Sequence, residues 1–247
     1  ASDGSGGGAM AATLSITASN TVFTGNSTTN GSGGALWTNA SLNLNGVTLA
    51  GNASTNADGG AALVAQTAVI VNTFMQDNSS GRNGGALLVS NTLAISSSRL
   101  IGNLAGAGGG GVYQTAGDSR IVNSLFARNT SLGNAGAALN LALTGSGQIL
   151  FNTIAAPSLV SGDAVRLSGG AVSINNNIIN NHAVGLARFS GTVAEDYNLF
   201  YGNTANRSGV IPVGTHDVYL NPQFVDPAND RYHILPGSAA VDAGTDT

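Results

Sequence analysis

The chain has 247 residues, a formal net charge of −4, 42% apolar residues and only 8% charged ones, which excludes both a disordered chain and an electrostatic footprint for nucleic acid. It has no cysteine, hence no disulfide and no thiolate metal site, and no apolar run approaches the roughly 20 residues of a membrane span. All eight basic residues are arginine, Glu195 is the one glutamate, and the 36 glycines and 28 asparagines are poor helix formers, so a mainly helical protein is excluded.

In chain order, residues 1–6 are polar and glycine-rich and lack the pattern of a signal peptide. Ala1-Ser2-Asp3-Gly4-Ser5-Gly6 is similar to Asn56-Ala57-Asp58-Gly59, the end of a later repeat. A longer parent with upstream and possibly downstream domains is therefore expected. From Gly7 onward a glycine-led segment recurs: Gly7-Gly8-Ala9-Met10, Gly33-Gly34-Ala35-Leu36, Gly59-Gly60-Ala61-Ala62, Gly84-Gly85-Ala86-Leu87, Gly110-Gly111-Val112-Tyr113, Gly136-Ala137-Ala138-Leu139 and Gly162-Asp163-Ala164-Val165. The leading glycines are spaced 26, 26, 25, 26, 26 and 26. A large apolar residue follows 16 positions later and an asparagine three beyond it: Phe23/Asn26, Leu49/Asn52, Met75/Asn78, Leu100/Asn103 and Phe126/Asn129.

Two motifs sharing one period over about 150 residues define a structural repeat. Within it, apolar positions alternate with variable ones, as in Leu36/Thr38, Leu87/Val89, Tyr113/Thr115 and Leu139/Leu141, then Leu42/Leu44, Leu93/Ile95 and Val172/Ile174. Period two means strands with one buried face. Gly and Asn tolerate the positive φ that sharp corners need. A 26-residue unit cannot bury enough apolar surface alone, so the units must stack. The fold class predicted is all-β: a right-handed parallel β-helix of about eight coils over residues 1–204, a rod about 40 Å long at about 4.8 Å per coil. A leucine-rich repeat fits poorly, because Thr21, Val47, Thr73, Ser98 and Ser124 stand where its leucine signature belongs. A calcium-binding nonapeptide array would recur every nine residues, and nothing here does.

The paired Gly-Gly-Ala-Leu and Phe-x-x-Asn motifs, best seen at Gly33–Leu36 with Leu49–Asn52, at Gly84–Leu87 with Leu100–Asn103, and at Phe126–Asn129, resemble the repeats of chlamydial polymorphic membrane proteins and related bacterial β-helix surface proteins. The match departs at Gly136-Ala137 and Gly162-Asp163, and at Ile154, which is followed by Pro157 instead of asparagine. The resemblance implies a pectate-lyase-like architecture and an extracellular or bacterial cell-surface location. Beyond residue 203 the period fades and four of the five prolines gather. Asp196-Tyr197-Asn198-Leu199-Phe200, Asn221–Asp226, Tyr232-His233-Ile234 and Pro236–Gly244 look like the closing segment of secreted bacterial β-helix proteins. Residues 205–247 are thus expected to cap the last coil and blunt its open edge.

The site candidates fall into three groups. Catalysis in this fold class needs converging carboxylates with a base; the densest cluster is His182, Arg188 and Glu195, joined by Asp196 and, further on, His216 and Asp217. Most acids lie singly near corners, so no catalytic set, no metal site and no cofactor is expected. The variable column Ala11, Trp37, Leu63, Leu88, Gln114, Asn140 and Arg166 is expected to face outward and to bind an unknown protein or glycan surface. Asn26, Asn52, Asn78, Asn103 and Asn129 are expected to stack as a structural ladder, with a partial second column at Asn20, Asn72, Asn123 and Asn176. An ice-binding face would need repeated threonines that the outward column lacks. The functional expectation is a non-catalytic surface or secreted module, adhesin-like, passenger or stalk; the alternative is a polysaccharide lyase, hydrolase or sugar-binding domain.

Overall fold

The alternation within each repeat forms strands of two to five residues, and the repeat length lays each strand over its counterpart one turn on. The structure, a computed structural model, describes residues 6–246. The similarity read into Ala1–Ser5 lies outside the described residues. The architecture is an all-β parallel solenoid of about 7 turns, about 26 residues each; a three-residue 3-10 turn at Pro227–Asn229 is the single helical element among the described residues.

Three long faces and one short one enclose the core. The first stacks Met10–Ala12, Leu36–Thr38, Ala62–Val64, Leu87–Val89, Val112–Gln114 and Leu139–Leu141. The second runs from Ile16–Ser19 to Thr192–Asp196 through eight strands. The third stacks Val22–Thr24, Thr48–Ala50, Phe74–Gln76, Arg99–Ile101 and Leu125–Ala127. Two-residue strands from Ser27–Thr28 to Thr130–Ser131 make the fourth. Leu36, Leu87 and Leu139 line up along the axis and are fully buried, as are Leu49, Met75, Leu100 and Phe126 on the opposite face. The core is therefore a set of apolar columns, one side chain per turn.

The double-glycine corner has two separate causes. The first glycine takes positive φ, +70° at Gly33 and +66° at Gly84. The second sits against the adjacent turn: a Cβ on Gly85 would lie 2.2 Å from the Gly110 carbonyl oxygen. In the fifth repeat the positive-φ glycine is Gly109, one position before the expected Gly110. The run Gly108-Gly109-Gly110-Gly111 hides this offset in the sequence. Val112 and Gln114 consequently point inward, in place of Tyr113 and Thr115.

Where the motif departs, the fourth face ends. Thr153–Leu167 and Ile178–Arg188 run as single long strands from the third face to the first, bulging near Pro157–Gly162. The last turn also shortens: Ile179 pairs with Phe200, 21 residues on. The solenoid has about seven turns where eight were expected.

The C-terminal stretch divides. Ala205–Ser208 pairs with the long strand, Ile211 enters the core, and Val218 exchanges backbone bonds with Asn198 and Phe200. Residues 223–246 run back along the outside of the third face. There Phe224–Asp226 and Arg231–Ile234 form an antiparallel hairpin. Tyr232 and Phe224 cover Ile101, Ala127 and Ala155, whose side chains would otherwise expose apolar surface.

Candidate functional site

Of the Phe-x-x-Asn asparagines, Asn52, Asn78, Asn103 and Asn129 are buried and Asn26 is half-buried, and they act as a chain of donors that Asn26 opens by donating to Asn52. The Asn52 side-chain nitrogen donates to Asn78 Oδ1 at 2.9 Å, Asn78 to Asn103 at 2.9 Å, and Asn103 to Asn129 at 2.9 Å. Each Oδ1 also accepts the backbone N–H of the preceding asparagine, and each amide donates to a carbonyl behind it, as Asn78 does to Leu49. In Asn52, Asn78 and Asn103 both the amide and the side-chain oxygen are thus engaged within the rod.

A second ladder is present that the sequence reading placed one residue off. Asn20, Asn72, Asn123 and Asn176 carry positive φ of 46–61° and make the corner by backbone conformation. The stacked side chains are the next residues. The Thr73 N–H donates to the Ser98 hydroxyl, Ser98 to Ser124, Ser124 to Asn152, Asn152 to Asn177 and Asn177 to Asn198. Threonine, serine and asparagine share only a short acceptor on Cβ or Cγ, so the column does not stand out by residue type.

The variable column is Ala11, Trp37, Leu63, Leu88, Tyr113, Asn140 and Arg166 in the observed register. Gln114 does not belong to it. It is fully buried, and its Nε2 donates to the carbonyls of Asn91, Ala116 and Asp118. Nor is the column an open strip: Leu88 and Asn140 are buried, and Trp37, Leu63 and Tyr113 are half-buried beside the corner loops, Trp37 lying against Gly6 and Tyr113 against Gly108. Arg166 is held by Asp163 at 2.8 Å and lies over the Phe189 ring at 4.2 Å.

His182, Arg188 and Glu195 are engaged apart from one another. His182 occupies the asparagine-ladder column, its N–H donating to Asn203 Oδ1 at 2.9 Å. Its ring is buried, neither ring nitrogen has a hydrogen-bond partner among the described residues, and burial pulls its pKa down to about 4. Arg188 donates to the carbonyls of Gly191 and Val210. Glu195 stands over Ile174 at the end of a core column and accepts from Arg207, Gly214 and Asn198. Arg207 also pairs with Asp217 and stacks on Phe200 at 4.6 Å. Burial and the nearby Glu195 carboxylate push the Asp217 carboxyl up to about 6, against the pull of the Asn198 N–H and Arg207. This cluster locks the end of the rod. Asp196 points the other way, to His216 at 2.9 Å.

One concavity lies apart from the variable column and from His182, Arg188 and Glu195. A groove of about 710 Å³ lies between the corner of the second and third faces and the C-terminal hairpin. Arg99, Asn123 and Phe151 line it from successive turns; Asp230, Arg231, Tyr232 and His233 line it from the hairpin. Asp230 is tied to Arg128 by two contacts of 2.7 Å, across 102 residues of chain. Among the described residues no group of three or more His, Cys, Asp or Glu side chains could hold a metal ion.

Compared with known proteins, the chain matches no family model, no curated protein and no solved structure.

Proposed function

We propose that this chain is a non-catalytic β-helix module of a secreted or surface-displayed bacterial protein, an adhesin-like passenger or stalk of the polymorphic-membrane-protein type. The observation that carries this reading is the commitment of the repeat to self-support. Its conserved-period asparagines bond turn to turn, so each coil added lengthens a rod without building a reaction centre. The carboxylates of Glu195, Asp217 and Asp230 likewise hold the last turn and the hairpin. Against the lyase or hydrolase alternative stands the separate engagement of His182, Arg188 and Glu195.

Two measurements test the proposal. An antibody to the chain should label intact source cells or their culture medium, and labelling confined to permeabilised cells would overturn display. Incubation with polygalacturonate or alginate should yield neither unsaturated nor new reducing ends; either product would overturn the non-catalytic reading.

A further inference from the structure

The chain is acidic overall, yet three of its arginines, Arg99, Arg120 and Arg231, have neither an ion pair nor a side-chain hydrogen bond among the described residues. Two of the three line one groove. Arg99 projects from the fourth turn with its guanidinium 5.3 Å from the centre of the Phe74 ring, and Arg231 opens the second strand of the hairpin. The one carboxylate on the lining, Asp230, is already neutralised by Arg128. A second, independent feature is Tyr232. It is 7% exposed, its ring meets Phe224 edge-on at 5.1 Å, and its buried hydroxyl has no hydrogen-bond partner among the described residues. A buried phenol normally finds a partner, and leaving one unpaired is costly. Phe151, 46% exposed on a positive-φ corner, offers an apolar ring face in the same lining.

We propose that this groove binds an anionic saccharide, with Arg99 and Arg231 pairing its acidic groups, Phe151 packing on a sugar ring, and Tyr232 and Asn123 serving its hydroxyls. The chemistry of the lining favours this ligand class: guanidiniums for carboxylate or sulfate, an exposed aromatic, and short polar side chains. The spacing favours it too. The wall repeats at about 4.8 Å per turn, comparable with the advance of one sugar along an extended polysaccharide, whereas a peptide strand advances about 3.3 Å per residue and falls out of step. The volume lies within the range of about 300–1,000 Å³ usual for ligand sites.

The test is calorimetric titration of the full chain with a short de-esterified oligogalacturonide, its methyl-esterified form, and polyglutamate. The acidic saccharide should bind, and the ester should bind at least about tenfold more weakly, the loss of one charged hydrogen bond. The R99Q/R231Q variant should lose about tenfold or more in affinity with unchanged circular dichroism, since both side chains are exposed and free. Tyr232→Phe should weaken binding several-fold while Tm holds or rises, an outcome a purely structural tyrosine would not give. No binding, equal binding by the double variant, or polyglutamate binding as tightly as the saccharide would overturn the proposal. Cleavage of the saccharide that the double variant loses would support the site while overturning only the non-catalytic reading above.

Discussion

Asn78 illustrates how a single residue type supports the rod. Its Oδ1 accepts both the backbone N–H and the side-chain amide of Asn52, and its own amide donates to Asn103 and to the Leu49 carbonyl. Asn78→Ala removes the acceptor of two buried donors, each costing about 1–3 kcal/mol when orphaned. A loss of roughly 3 kcal/mol in a denaturant titration is expected; an unchanged midpoint would mean the ladder is ornamental. His182 is the inverse case. It holds a ladder position with an imidazole that bonds nothing, and at about 4 its pKa lies below the 6.5 of an unfolded histidine. Between pH 6.5 and 4 the unfolded chain binds the proton that the folded one refuses. Stability contributed by the neutral ring is therefore present above pH 6.5 and falls with pH, by about 3 kcal/mol in total. His182→Asn, which restores a ladder amide beside Asn203, should raise Tm at pH 5 more than at pH 7.

At the scale of elements, the end of the rod titrates with the opposite sign. The Asp217 carboxyl, at about 6 in the fold against 3.8 unfolded, keeps its proton where the unfolded chain has lost it. Its contribution is largest below pH 4 and declines as pH rises through 6. His182 and Asp217 therefore offset each other across one window. Thermal melts should show this directly: in His182→Asn, Tm should decline from pH 4.5 to 6.5, and in Asp217→Asn it should climb. Parallel profiles for the two variants would refute the assignment. The hairpin is anchored more lightly, by the half-exposed Arg128–Asp230 pair and by Tyr232 over Ile101, Ala127 and Ala155. Because a partly exposed pair is worth on the order of 1 kcal/mol, Arg128→Ala should loosen the hairpin without melting the rod. Limited proteolysis would then cut near the Pro227–Asn229 turn while the far-ultraviolet spectrum stays unchanged.

The whole molecule is a one-dimensional stack, so its parts should be insertable by period. A second copy of residues 33–58 placed after Asp58 keeps every column in register, because Leu36 already pairs with Ala62 across that span. The expected product is folded and longer by about 4.8 Å in small-angle scattering. Aggregation or an unchanged length would contradict nearest-neighbour stacking. The same logic limits substitution at the corners. Gly85→Ala would place Cβ 2.2 Å from a neighbouring carbonyl, a clash between two backbones that cannot relax singly.

Periodicity alone determines most of the architecture. A parallel stack makes residues one turn apart into neighbours, so Leu36, Leu87 and Leu139, or Asn52 and Asn78, can be aligned by counting. Counting fails wherever the period is locally ambiguous or altered. Four consecutive glycines concealed a one-residue offset, which exchanged Gln114 and Tyr113 between core and surface. The contraction to 21 residues pairs Ile179 with Phe200, where a count of 26 would have passed it by. The groove was beyond any such reading, because it joins Arg99 to Arg231 and Arg128 to Asp230 through a segment that has no period. Where that segment docks depends on which apolar side chains the third face leaves uncovered and which charge is free to meet it. Those are properties of the assembled surface, and only the tertiary structure brings them together.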